Sequence, residues 1–258
     1  MRDTILIYND LGQFPESAKV MYDWLKLNLT GKYIILYTDA TSILKLNALN
    51  NRIKALVIPG GHSRGFRQKL GSEGITIIKD FVKNGGYYYG FCGGGYFGCH
   101  IKFTGDDLFI ENNDNLNFLK DMQAIGSLPQ LTNGKHFNHT VESANACKVT
   151  LQDESLSYCY YSGGPYFKYS GNDKTYKVLA NYTDLDVPAI VNFKYFEGNV
   201  ILSGLHPEYT YDVMNKMLQN NKRPDLAKHI ENILTNLYNS ESSKQADKLN
   251  KLILKDLI

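Results

Sequence analysis

Residues 87–98 read YYYGFCGGGYFG and decide the fold of this 258-residue chain. An apolar run leads into a glycine-rich turn that carries Cys92. A strand followed by Gly-x-Cys-x-Gly and a helix is typical of a sharp turn whose central residue is strained, so that its neighbours must be small. The pattern therefore predicts a buried strand at Tyr87–Phe91, with Cys92 at its carboxyl end.

Cys92 has the surroundings of a nucleophile. A helix that begins directly after the turn brings unpaired backbone N–H groups near the sulfur, and these favour the thiolate. The alternatives for such a turn are a tight packing bend and a phosphate-binding loop. Phosphate-binding loops carry Lys-Ser or Lys-Thr after their glycines, or a Gly-x-Gly-x-x-Gly spacing, and have no reactive residue where Cys92 stands.

The chain on the amino-terminal side of this turn alternates between short apolar runs and amphipathic stretches, which is typical of βαβ units. Continuous apolar runs such as residues 55–58 indicate parallel strands that are covered on both faces. We therefore predict a three-layer α/β fold with a mostly parallel central sheet and helices on both faces. The predicted strands are Thr4–Tyr8, Tyr33–Tyr37 and Ala55–Ile58, and the predicted helices are Ser17–Leu29 and Ile75–Lys83.

The region from about residue 103 to residue 195 has short strand-like runs between turns rich in Gly, Asn and Asp. We expect antiparallel or edge strands there. Glu197-Gly198-Asn199 predicts a hairpin turn that returns the chain into a strand at residues 200–203. The other strands predicted in this region are Val149–Leu151, Ser157–Tyr161, Tyr176–Tyr182 and Ala189–Phe196.

His206 and Glu208 follow the strand at residues 200–203. A thiolate nucleophile needs a base within hydrogen-bond reach and a third group that orients the imidazole, and these two residues can supply both. A lone histidine near a strand end is more often a structural residue. The position of His206 after a buried strand, downstream of the Cys92 turn, favours a catalytic role.

A third loop at a strand end, residues 59–64, reads PGGHSR. The glycines Gly60 and Gly61 free backbone N–H groups to point at a ligand, and together with the N–H of Gly93 they predict an oxyanion hole. We expect His62 and Arg64 to contact an anionic substrate. Exposed loop residues of this kind lack a function about as often as they have one.

The carboxyl-terminal region contains a predicted helix at residues 224–237, a polar break at residues 239–244 and a last amphipathic segment. The segment predicts a terminal helix that docks on its own domain, with a homodimer contact as the alternative. We therefore divide the chain into a domain at residues 1–238 and a C-terminal helical tail at residues 239–258. The apolar residues at near-helical spacing in the tail are Leu249, Leu252, Ile253 and Leu257.

The composition argues against several classes of protein. The chain has 28 basic and 26 acidic residues, spread without a basic face for nucleic acid. Its four cysteines have neither disulfide-framework nor zinc-site spacing. Its first apolar run, at residues 5–8, is far shorter than the core of a signal peptide, and no apolar run approaches the roughly 20 residues that span a membrane. We expect a cytoplasmic protein that takes a small-molecule substrate, with no cofactor, metal, nucleic-acid or membrane partner.

The motifs around Gly60, Cys92 and His206, in this order, resemble the class I glutamine amidotransferase superfamily. Its Cys-His-Glu triad would correspond to Cys92, His206 and Glu208. A finer resemblance, over most of residues 1–210, is to the biotin-protein ligase N-terminal domain family. The residues that carry it are 7–9 with 15–17, 59–61, 90–96, 160–164 and 203–208.

The resemblance implies a glutamine amidotransferase-like, flavodoxin-like fold for the domain. It also implies substrate contacts from Gly163 and Gly164, beside those of the Cys92 turn. Glutaminases of the superfamily carry Gln four residues after the cysteine, where this chain has Tyr96, so glutamine is doubtful as the substrate. The basic Gly-Arg-Gly loop of the ligase catalytic domain is also absent from this sequence.

The leading functional hypothesis is a cysteine-dependent amide hydrolase or amidotransferase-like enzyme, in which Cys92 attacks a carbonyl group and His206 moves the proton. The alternative is a non-catalytic small-molecule-binding or regulatory module that retains the pocket, for which an unreactive Cys92 would argue. An α/β-hydrolase would have Ser at the turn and an acid far from the histidine. A redox sensor would need Cys92 and Cys99 closer than seven residues of turn and helix allow.

Overall fold

The computed structural model describes residues 2–103, 114–126, 128–172, 175–219 and 223–258. Its strands are β1 (Thr4–Tyr8), β2 (Ile34–Thr38), β3 (Ile53–Ile58), β4 (Tyr87–Phe91), β5 (His100–Phe103), β6 (Met122–Gly126), β7 (Asn145–Leu151), β8 (Leu156–Tyr161), β9 (Tyr166–Tyr169), β10 (Tyr176–Tyr182), β11 (Val187–Tyr195) and β12 (Gly198–Ser203). Its α-helices are α1 (Ser17–Leu29), α2 (Ala40–Lys45), α3 (Ser63–Lys83), α4 (Gly93–Phe97), α5 (Tyr211–Leu218), α6 (Ala227–Ser242) and α7 (Gln245–Leu254).

The main sheet has nine strands in the order β2-β1-β3-β4-β12-β11-β10-β7-β8. The first five strands of that order are parallel, and the last four continue the sheet in antiparallel pairs. The predicted α/β class is confirmed. We expected antiparallel strands only at the edge of the sheet, but they make up four of its nine strands. Short turns join β7 to β8 and β11 to β12, and a short turn can join only antiparallel neighbours.

Both faces of the main sheet are covered. On one face Ile5 and Ile7 of β1 share a core with α1 and α7, and on the other Leu6 and Tyr8 share a core with α2, α3 and α4. A second sheet, in the order β5-β6-β9, packs into the latter core. A strand buried on both faces has apolar residues at every position, which is why β1 is recognisable in the sequence.

Most predicted strands differ from the structure by a few residues at their ends, and two differences have a clear local cause. The helix predicted at 75–83 is only the second half of α3, which breaks at Gly71 (φ 59°, ψ −171°). Glycine is less favourable than alanine in a helix by about 1 kcal/mol. Gly71 and Gly74 therefore weaken the helical pattern in the sequence, and the first half of α3 was not predicted. The hairpin turn lies at Phe196 and Glu197, one residue earlier than predicted, with Phe196 at φ 51°.

The chain end packs on the main core. Helix α6 continues through Ser242, so the break in helix is short and lies at Ser243 and Lys244. Leu249, Ile253 and Leu257 are buried in the core that also holds α1. The last helix therefore docks on its own chain, while the division of the chain at residue 239 and the homodimer contact stay predictions.

Truncating a side chain of α7 tests this docking. We expect Ile253→Ala to lower the free energy of unfolding by about 2–5 kcal/mol, because the side chain is fully buried and its removal leaves a cavity. Lys251→Ala, on the exposed face of the same helix, is the matched control and should change stability by less than about 0.5 kcal/mol. Urea unfolding measures both, and equal effects would show that α7 lies outside the core.

Candidate functional site

Cys92 occupies a strained turn between β4 and α4. Its backbone has φ 48° and ψ −101°, a conformation that costs on the order of 1–3 kcal/mol for a residue with a side chain. The N–H of Cys92 donates to the backbone oxygen of Ser203 at 2.7 Å, which ties the turn to the end of β12. A Cβ atom on Gly93 would lie 2.2 Å from the backbone oxygen of Gly61, so only glycine fits there.

His206 and Glu208 form a buried pair beside this turn. β4 and β12 are parallel neighbours, with Phe91 opposite Ser203, so the residues after the two strands meet at one edge of the sheet. Nδ1 of His206 and Oε1 of Glu208 are 2.8 Å apart, within hydrogen-bond distance. Both residues are at least 98 % buried, with 2 % and 1 % of their surfaces exposed.

The charges around His206 favour its protonated form. Burial lowers the pKa of the imidazole, but the carboxylate of Glu208 and the Cys92 side chain outweigh burial and hold the pKa above its usual 6.5. Cys92 follows β4 and His206 follows β12, so the parallel pairing of these strands places both side chains at the same edge of the sheet. The S–H of Cys92 also donates to the backbone oxygen of Ser162 at 3.6 Å. A thiol beside an imidazole that a carboxylate orients can act as a nucleophile.

The loop at residues 59–64 packs directly on these groups. A Cβ atom on Gly60 would lie 2.6 Å from Cε1 of His206, so the loop backbone lies against the imidazole. The backbone of Gly61 meets that of Gly93 at the Cys92 turn. The structure thus brings Gly60, Gly61 and Gly93 together with Cys92, as the expected oxyanion hole requires.

The loop between β8 and β9 approaches Cys92 from the other side. Gly163 has φ 73°, and a Cβ atom there would lie 2.4 Å from the ring of Phe137. A Cβ atom on Gly164 would lie 1.9 Å from the backbone oxygen of Gly204. Tyr96 donates its hydroxyl to the backbone oxygen of Gly163 at 3.1 Å and is 6 % exposed. Tyr96 therefore supports this loop, while the substrate contact that we expect from Tyr96 stays a prediction.

A cavity of about 320 Å³ opens at His206. Among the described residues, its wall has no Lys, Arg, Asp or Glu side chain. Sequence patterns missed most of this wall, because its aromatic residues come from segments without a motif. The residues that line it are Phe14, Pro15, Phe137, His139, Tyr160, Ser162, His206, Tyr209 and Met217.

His62 and Arg64 lie apart from each other. The His62 ring packs 5.1 Å from Phe14 and 4.8 Å from His139, measured between ring centroids, and its pKa is lowered by burial and by His139. Because α3 begins at Ser63, Arg64 belongs to the first turn of a helix. Its side chain lines a separate cavity, and the structure does not bring it to Cys92.

Comparison with known proteins identifies the family. A family model described as biotin-protein ligase, N terminal, matches residues 3–257. The chain belongs to this family. It is 28 % identical over 216 residues to the biotin–protein ligase of Schizosaccharomyces pombe, a match that covers 80 % of this chain and 33 % of the yeast protein. It is 30 % identical over 227 residues to an uncharacterized protein of Chlamydia muridarum, covering 80 % of each.

This member of the biotin-protein ligase N-terminal family has the fold of solved glutamine amidotransferases. One such crystal structure matches with a TM-score of 0.55 at 16 % identity, covering 90 % of this chain and 99 % of the other. A glutamine amidotransferase of Thermotoga maritima matches with a TM-score of 0.59 at 13 % identity, covering 100 % and 98 %. At these identities the likeness shows the fold alone, and it confirms the predicted superfamily fold.

The charge balance at His206 predicts its titration. We expect the imidazole to titrate above pH 6.5 in the wild type and at a lower pH in Glu208→Gln, because the amide removes the carboxylate charge that opposes burial. The Hε1 chemical shift of His206, followed by NMR against pH and assigned with His206→Gln, measures both values. An unchanged pKa in the folded Glu208→Gln protein would contradict this account.

Proposed function

We propose that the protein is a cysteine-dependent amide or ester hydrolase, or an amidotransferase-like enzyme, that uses Cys92, His206 and Glu208. The observation that carries the proposal is the buried 2.8 Å contact between His206 and Glu208 beside the strained Cys92 turn. Glu208 would hold the Nδ1 side of the imidazole. Nε2 of His206 is buried and makes no hydrogen bond with the residues that the structure describes, so it can exchange a proton with the thiol.

The proposed reaction has two acyl-transfer steps. In the reactive state the proton shared by Cys92 and His206 lies on Nε2 of His206, and the thiolate sulfur forms a bond to the substrate carbonyl carbon while the carbonyl electron pair moves to oxygen. Backbone N–H groups of Gly61 and Gly93 would stabilise this oxyanion. The carbonyl re-forms, the carbon–nitrogen or carbon–oxygen bond breaks, and the leaving group takes the proton from His206. Water or an acceptor amine, losing a proton to His206, then releases the acyl group and the thiolate.

Free glutamine fits this site poorly. Its α-amino and α-carboxyl groups are both charged, and burying a charge without a partner costs several kcal/mol. The described cavity wall has no Lys, Arg, Asp or Glu side chain as a partner, its His206 is already paired with Glu208, and Arg64 lines another cavity. Tyr96 supports the Gly163 loop from a position where glutaminases of the superfamily carry glutamine. We propose a substrate other than glutamine.

The names of the relatives limit what this proposal includes. The chain spans 33 % of the length of the yeast biotin–protein ligase, so ligase activity is not part of the proposal.

In the described ranges, no helix is both long and apolar enough to cross a membrane. The four cysteines are free, which agrees with a reducing compartment, and we propose the cytoplasm as the location.

Acyl transfer from an activated ester tests the proposal. We expect the wild type to hydrolyse p-nitrophenyl acetate and to carry a transient acetyl group on Cys92, detected by mass spectrometry of the quenched protein. Cys92→Ala should abolish the activity and His206→Ala should lower it by about 10²–10⁴-fold, because the general base is lost. Cys99→Ala, at a buried cysteine away from the cavity, is the matched control and should keep the activity.

Two further measurements test separate parts of the proposal. Ammonia release from glutamine should be near background, and rapid release that depends on Cys92 would refute only the argument against glutamine as the substrate. A folded wild-type protein with no acetylation of Cys92 would favour a non-catalytic binding module instead.

A further inference from the structure

Four aromatic rings gather at the mouth of the cavity. This ring cluster consists of Phe14, His62, Phe137 and His139. The centroids of Phe137 and His139 are 4.5 Å apart, and those of Phe14 and His139 are 5.5 Å apart, both in edge-to-face geometry. Phe14, Phe137 and His139 also line the cavity that contains His206. Edge-to-face packing is favourable between rings, and a further ring can extend such a cluster.

Two tyrosines also line the cavity. The rings of Tyr160 and Tyr209 are 5.4 Å apart, and Tyr209 meets His206 edge-on at 5.2 Å. Burial raises the pKa of Tyr160 to about 12 and raises that of Tyr209 too, so both phenols are neutral at physiological pH. The pKa of His62 is lowered below 6.5, which makes that ring neutral at pH 7. The two tyrosines therefore add aromatic surface to the cavity without adding charge.

The cavity has room for a ring and its carbonyl group. A closed apolar cavity of about 150 Å³ accommodates benzene, and this cavity has about 320 Å³. The excess volume suits the linker and the acyl carbon that must reach Cys92. Ser162 lines the cavity and its backbone oxygen lies 3.6 Å from the Cys92 sulfur, so a carbonyl group at that end would lie near the nucleophile.

Phe137 is fixed with respect to this end of the cavity. Its ring occupies the space that a Cβ atom on Gly163 would need, so Phe137 packs on the loop that also presents the backbone oxygen of Ser162 to Cys92. A ring bound against Phe137 therefore has a defined position relative to the sulfur. The carbonyl group of the same molecule is positioned with it, which is how binding groups contribute to rate.

We infer that the substrate of Cys92 is an uncharged amide or ester that carries an aromatic ring, and that Phe14, Phe137 and His139 bind this ring. This substrate class rests on the proposed function. It assigns Phe137 as a specificity-determining residue.

Alkylation of Cys92 by matched chloroacetamides tests the inference independently of turnover. The probes are N-benzyl-2-chloroacetamide, which carries a neutral ring, Nε-chloroacetyl-lysine, which carries the amino and carboxyl charges of an amino acid, and 2-chloroacetamide as the baseline. Each rate is divided by the rate of the same probe with glutathione. We expect the corrected rate of the benzyl probe to be at least about tenfold above that of the charged probe and to saturate with concentration, because a tenfold preference needs only about 1.4 kcal/mol of ring binding.

Phe137→Ala should reduce the benzyl rate to the baseline, and Phe137→Leu should give an intermediate rate if the alanine variant folds poorly. Phe196→Ala, at an exposed phenylalanine on the turn between β11 and β12, is the matched control and should keep the preference. Equal corrected rates for the benzyl and charged probes, an unchanged preference in both Phe137 variants, or no alkylation of Cys92 would overturn the inference. Ring preference without ester turnover would refute the proposed function alone, and turnover without ring preference would refute the substrate class alone.

Discussion

The parallel pairing of β4 with β12 is the constraint on which the site depends. Phe91 lies opposite Ser203, and the N–H of Cys92 donates to the backbone oxygen of Ser203 at 2.7 Å. This register brings the residue after β4 next to the segment that follows β12, where His206 lies. A slip by one residue would turn the side chains of the strand to the opposite face and separate the sulfur from the imidazole.

Backbone atoms of the neighbouring loops pack directly against Cys92 and His206 at the end of these two strands. Gly60 lies against the imidazole of His206, and Gly61 lies against Gly93. Side chains at these positions would push the two loops apart, so the glycines determine how closely the loops approach Cys92. The strain at Cys92 is maintained because β4, β12 and the neighbouring loops hold the turn from several sides.

The sequence predicted those strands and helices that a short run of neighbouring residues defines. The strands β1, β4 and β10 have the predicted bounds, because short apolar or alternating runs define a strand without reference to distant residues. The sheet formed by β5, β6 and β9 was missed, since its pairing joins segments that are far apart in the sequence. The beginning of α3 was missed for a different reason, because its glycines weaken the helical pattern.

The same distinction applies to the site. Cys92, His206 and Glu208 could be predicted because each follows a recognisable strand, and parallel strands end at one edge of a sheet. Phe137 and His139 could not, since their place beside the cavity is set by packing against Phe14 and the Gly163 loop. Arg64 was assigned to the site from a loop pattern, but the helix that begins at Ser63 carries it to another cavity.

The relative reactivity of the four thiols tests the central claim most directly. Burial raises the pKa of Cys99, Cys147 and Cys159, which keeps these thiols protonated at neutral pH, whereas Cys92 lies beside His206. Limited iodoacetamide treatment of the native protein at pH 7, followed by peptide mass spectrometry, measures the four rates. The account predicts that Cys92 is modified first and that His206→Gln slows its modification. Faster modification of any other cysteine in the folded protein would contradict it.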